Sequence, residues 1–104
     1  LRTEYPQLVG AWIGERVFNA LYIVYVNDGV VHQDLLFPNG EKLSYPMKVV
    51  KEAGGMFRLE EIDGDEPEFL RLAPSGMLQF WNENRNFTTL VPRDPAEINL
   101  ALLN

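Results

Sequence analysis

The chain of 104 residues predicts an all-β fold, an antiparallel up-and-down barrel of about eight strands followed by a short C-terminal helix. Three observations carry this reading. From Asn27 onward a turn signal recurs every nine to fifteen residues, and the intervening segments are short, apolar and aromatic. Over 42–51, Leu43, Tyr45, Met47 and Val49 share one face against Lys42, Ser44 and Lys48 on the other, a period of two rather than of a helix. The connections are too short for the crossovers a parallel sheet needs.

The strands follow in order. Residues 8–15 (LVGAWIGE) form the first, and a connection through 16–19 leads to the second at 20–26. Asn27-Asp28-Gly29 then supplies residues that tolerate positive φ, the chemistry of a tight hairpin. The third strand spans 30–37, Pro38-Asn39-Gly40 turns the chain, and 42–51 is the fourth. Ala53-Gly54-Gly55, the acidic run Asp63 to Pro67, Pro74-Ser75-Gly76 and the polar run Asn82 to Asn86 bracket four more, at 56–62, 68–72, 77–81 and 87–91. Asp94-Pro95-Ala96-Glu97 then reads as a capping box with proline at the first helical position, opening a helix over 95–103. So short a helix needs an apolar surface to pack on, either a barrel end or a partner chain.

A flat sheet of eight strands would leave two open edges, and edge-protecting devices are sparse beyond Pro46 and scattered lysines. Closure removes both edges. It gives an inside to Trp12, Leu43, Tyr45, Met47, Phe57, Leu59, Leu78 and Phe80, or to their neighbours of opposite parity. The second strand is apolar on both faces, so its outer face needs cover from the terminal helix or from another subunit.

Gly10-Ala11-Trp12, a G-x-W tripeptide on the first strand, combined with the up-and-down barrel and a helix after the last strand, resembles the lipocalin-like, or calycin, group. The resemblance implies that Trp12 packs across the closed end of the barrel beneath an arginine, with Arg85 and Arg93 as the candidates. It also implies a binding protein, with small inhibitor-type or accessory barrels as a second class. The simpler reading of Trp12 is a buried core aromatic.

Composition narrows the function classes. One domain is the size limit for 104 residues. Without cysteine there is no thiol nucleophile, disulfide or thiolate metal site. A formal charge of −6, with lysines and arginines scattered singly, weighs against nucleic acid and against an anionic membrane surface. No apolar run approaches a bilayer-spanning length of about 20 residues, and no charged-then-apolar leader opens the chain, which favours the cytoplasm while the Leu1 start leaves processing open.

No catalytic or metal motif stands out. His32, the single histidine, shares a strand face with Asp34 two residues on, which is the minimum for a general base. No serine sits in a nucleophile setting, so a structural histidine is the simpler account. Asp63-Gly64-Asp65-Glu66 lacks the spacing of a calcium loop, so it reads as an acidic hairpin turn. Glu60 and Glu61 point to opposite faces. Glu61 is on the side of Phe57 and Leu59, where an inward carboxylate needs either a partner, from Arg71, Arg58 or Tyr45, or a ligand's polar group. Aromatics interleaved on strands can stack bases, but the negative charge removes the electrostatic half of that mechanism.

These readings predict a cofactor-free barrel, non-enzymatic unless His32 acts as a base, that binds a small apolar molecule or a protein partner, with Trp12, Tyr45, Phe57, Glu61 and Phe80 as candidate binding residues. The alternative is a filled barrel acting as a homo-oligomer or protein-binding module. Eight short strands with bulky inward residues favour filling.

Overall fold

The computed structural model describes residues 3–14, 19–64 and 67–104. Eight strands follow in chain order: β1 (Leu8–Gly14), β2 (Ala20–Asn27), β3 (Val30–Leu36), β4 (Lys42–Lys51), β5 (Phe57–Glu61), β6 (Glu68–Leu72), β7 (Leu78–Asn82) and β8 (Arg85–Leu90). Each pairs antiparallel with its sequence neighbour in one sheet of order β1 to β8. The up-and-down meander expected from the turn spacing is therefore the observed topology. The expectation for residues 15–18 lies outside the described residues, as does that for 65 and 66.

Turn chemistry explains the hairpins. Asp28 and Gly29 both have positive φ, 51° and 75°, the backbone of a two-residue loop whose twist matches its strands. At the β7–β8 hairpin the polar run 82–86 is shorter as a loop than its composition implies. Asn82 pairs with Arg85, leaving Glu83 and Asn84 as the turn, with Glu83 at φ 48°. Arg85 and Asn86 belong to β8 because the ladder supplies main-chain partners that polar side chains do not compete away.

The sheet closes incompletely. β1 meets the segment just after β8 through a bridge between Trp12 and Pro92. Arg93 N–H donates to Ala11 O at 2.8 Å, Ile13 N–H to Val91 O at 3.4 Å, and Asn99 N–H to Val9 O at 2.8 Å. The result is a nearly closed barrel in which the chain beyond the last strand completes the wall.

That closure corrects the expected C-terminal helix. Two short 3-10 turns, Pro95–Glu97 and Leu100–Leu103, replace it, with Ile98 and Asn99 non-helical between them. Pairing of Asn99 with β1 interrupts helical hydrogen bonding in a segment too short to hold a helix unaided. The Asp94 carboxylate does cap, accepting from Ala96 N–H at 3.0 Å. Glu97 does not complete the capping box and pairs instead with Arg93 at 3.0 Å.

The two ends of the barrel differ. At one end Ile98, Leu100, Leu102 and Leu103 pack against the core cluster that contains Trp12, Leu59, Leu72 and Leu78, all four fully buried. Gly10 makes this possible, since a Cβ there would approach Ile98 Cδ1 to 2.5 Å and the Trp12 ring to 2.6 Å. The other end, where β3–β4, β5–β6 and β7–β8 turn, has no such stopper among the described residues.

Inward parity is also settled. Trp12, Met47, Phe57, Leu59 and Leu78 are core, as is Tyr22 on β2, while Tyr45 and Phe80 are half-buried on the same face. Leu43 has inward parity but stands at the open rim and is 45% exposed. The outer face of β2 is not covered by the C-terminal segment. Leu8, Ala11 and Ile23 form a second apolar cluster there, with Tyr5, Leu21, Tyr25 and Leu36 packed against it. The chain's own N-terminal segment is the cover.

Candidate functional site

The unstoppered end holds a cavity of about 340 Å3. Antiparallel registers build it. Gln33 on β3 stands opposite Tyr45 on β4, Met47 on β4 opposite Glu61 on β5, and Leu70 on β6 opposite Phe80 on β7, all with inward parity. Leu35, Met47, Leu70 and Phe80 supply the apolar wall. The volume falls in the range of small-molecule pockets, roughly 300–1,000 Å3. The expected choice between a hollow and a filled barrel resolves by level: the stoppered half is packed and the open half is hollow.

Polar groups converge on this cavity. Gln33 is 7% exposed and lines it, and its carboxamide makes no hydrogen bond with any described group. Tyr22 on β2 stands opposite Trp12 on β1 and Leu35 on β3, and its hydroxyl is buried without a partner among the described residues. Burial pushes that phenol up to about 12, because the charged form has nothing to solvate it. Glu61 and Glu68 both line the cavity, and neither forms an ion pair or hydrogen bond among the described residues. A buried hydroxyl left unpaired, as at Tyr22, costs about 1–3 kcal/mol, which a ligand's polar atom would recover.

The cations expected to meet Glu61 are elsewhere. Arg58 and Arg71 point out of the barrel, where Arg58 pairs with Glu60 at 2.9 Å and Arg71 with Glu52 at 2.8 Å. Both guanidiniums stack on Phe69, at 3.7 and 5.1 Å from its centroid, and Arg71 also covers Trp81 at 4.4 Å. Parity opposite to Glu61 on β5 and to Glu68 on β6 holds them outside, and no lysine, arginine or histidine among the described residues lines the cavity.

Of the candidate binding residues, Tyr45, Glu61 and Phe80 line the cavity together with Tyr22, Gln33 and Glu68, which sequence reasoning did not single out. Gln33 carried one usable signal, its alternation with Val31 and Leu35 on the inward face. Phe57 lies deeper, buried opposite Lys51 and Leu72. Trp12 is fully buried near the stoppered end, its indole Nε1 donating to Gly76 O at 2.7 Å. Arg85 lies over Phe87 and Arg93 pairs with Glu97, so no described guanidinium covers Trp12.

His32 is on the outer wall, its ring stacked on Tyr25 at 5.4 Å. Asp34 does not orient it. Both carboxylate oxygens are taken by phenols, Oδ2 by Tyr5 OH at 2.9 Å and Oδ1 by Tyr25 OH at 3.0 Å. The pair thus lacks the base–orienter bond that acid–base catalysis requires. Among the described residues no group of three His, Cys, Asp or Glu could hold a metal ion, and no helix is long and apolar enough to cross a membrane.

Comparison with protein-family models, with curated proteins and with solved structures gives no match. Fold and site therefore define a class on their own terms: a nearly closed eight-stranded antiparallel barrel with one end stoppered by its own C-terminus and a cavity at the other.

Proposed function

We propose that this protein is a non-enzymatic, lipocalin-like barrel that holds a small, largely apolar molecule in its open end. The carrying observation is the cavity of about 340 Å3 with the Gln33 amide in its wall, unpartnered among the described residues. Apolar walls supply affinity through the area they remove from water, and the amide orients the bound molecule through one directional hydrogen bond. The position of Trp12 on β1, buried at the stoppered end, agrees with the lipocalin-like resemblance. The packing of Tyr5 on the outer face of β2 favours this reading over an oligomeric module.

Native mass spectrometry of the purified chain tests this reading. A monomer of 11.9 kDa retaining additional mass is the expected result, and Met47→Trp, which fills the apolar wall, is expected to release it. A bare dimer whose mass is indifferent to Met47→Trp would replace the reading with the oligomeric one.

A further inference from the structure

We infer that the ligand of this cavity is an amphipathic cation, an apolar body of modest size carrying a protonated amine. The inference rests on the binding reading above and specifies its chemistry. Among the described residues, two carboxylates, Glu61 and Glu68, line the cavity, and no cation does. Every described arginine is committed elsewhere: Arg58 to Glu60, Arg71 to Glu52, Arg93 to Glu97, and Arg85 over Phe87.

Acidic side chains alone would be an ordinary solvated rim. The independent observation is inside the wall, where Gln33, only 7% exposed, faces the cavity and its carboxamide has no partner among the described residues. Its oxygen accepts from an ammonium N–H and offers a neutral contact between the two carboxylates and the apolar surface of Leu35 and Met47. An anionic ligand would meet two like charges with no compensating cation among the described residues. A neutral ligand would leave both carboxylates without a counter-charge. An ammonium at the rim, with its hydrocarbon directed toward Leu70 and Phe80, matches the charge of both carboxylates and the acceptor of Gln33. The net charge of −6 adds a long-range attraction of the same sign.

The test compares three probes of one chain length, octylammonium, octan-1-ol and octanoate, by titration calorimetry on the intact protein at low salt. Octylammonium is expected to bind about fivefold tighter than octanol, the upper scale of partly exposed charge pairs, with octanoate weakest. Glu61→Gln combined with Glu68→Gln should bring octylammonium to the affinity of octanol while leaving octanol binding unchanged, which also shows that the variant is folded. Gln33→Leu should weaken octylammonium and octanol. Octanol binding with no preference for the amine, or a preference that survives both glutamine substitutions, would overturn the charge assignment and leave the cavity reading standing. Failure of all three probes to bind the folded chain would overturn both.

Discussion

The indole Nε1 of Trp12 donates a 2.7 Å hydrogen bond to the carbonyl oxygen of Gly76, joining the first strand to a turn 64 residues later. The bond is buried and lies where the C-terminal segment enters the core, since a Cβ on Gly76 would sit 3.6 Å from Ile98 Cγ1. Trp12→Phe removes the donor, strands a buried carbonyl and leaves a void. A loss of about 3 kcal/mol is expected in urea unfolding.

Gly10→Ala should cost about 2 kcal/mol by overpacking, because the new methyl meets both Ile98 and the Trp12 ring. Ile98→Val relieves one of the two contacts. The double variant is expected to be more stable than the sum of the singles predicts, by about 1 kcal/mol, in a double-mutant cycle. Simple additivity would place Gly10 and Ile98 in independent environments.

Asp34 is 1% exposed and its carboxylate is held by two tyrosine hydroxyls, one of them from the N-terminal segment. Tyr5→Phe removes one donor and should cost about 1–2 kcal/mol. It should also increase hydrogen exchange in the outer halves of β1 and β2, which Tyr5 helps cover.

The same tyrosines set an alkaline limit. Burial, reinforced by the Asp34 carboxylate, raises the phenols of Tyr5 and Tyr25, Tyr25 up to about 12, and burial alone raises Tyr22 to about 12. An unfolded phenol loses its proton near pH 10. Between pH 10 and 12 the unfolded chain therefore binds fewer protons than the native one, and stability falls as pH rises. Below pH 10 this contribution is fully present. Ultraviolet absorbance of tyrosinate should show these three phenols ionising together with unfolding; ionisation well before loss of near-ultraviolet circular dichroism would contradict the burial argument.

Arg71 bridges Glu52 and the rings of Phe69 and Trp81 on the outer wall. Arg71→Ala should cost about 1 kcal/mol, because the ion pair is partly exposed. The pair holds the Glu52 carboxyl below the usual carboxylate range, chiefly through its hydrogen bond from Arg71. That share of stability is present above the unfolded glutamate range and is lost as pH falls through the lowered value. Arg71→Ala should abolish this acid dependence without altering ligand affinity.

The barrel topology was legible in the chain itself. Short segments cannot cross over to parallel partners, and Asp28-Gly29 or Pro74-Ser75-Gly76 dictate where each hairpin turns, so sequential pairing follows from local chemistry alone. Parity placed Glu61 with Phe57 and Leu59, and Phe80 opposite Trp81, because alternation along a strand is a covalent consequence of the pleat. Tertiary structure decided which of the two faces is inside, since that depends on the sign of curvature of the whole sheet. It turned the expected helix at 95–103 into two 3-10 turns, because Asn99 pairs with Val9, a partner ninety residues earlier. It sent Arg58 and Arg71 outward to Glu60 and Glu52 and left Glu61 facing the cavity without a cation. Local residues specify the direction of each strand and each side chain, but only closure of the barrel determines which unpaired groups, Gln33 above all, meet in one enclosed space.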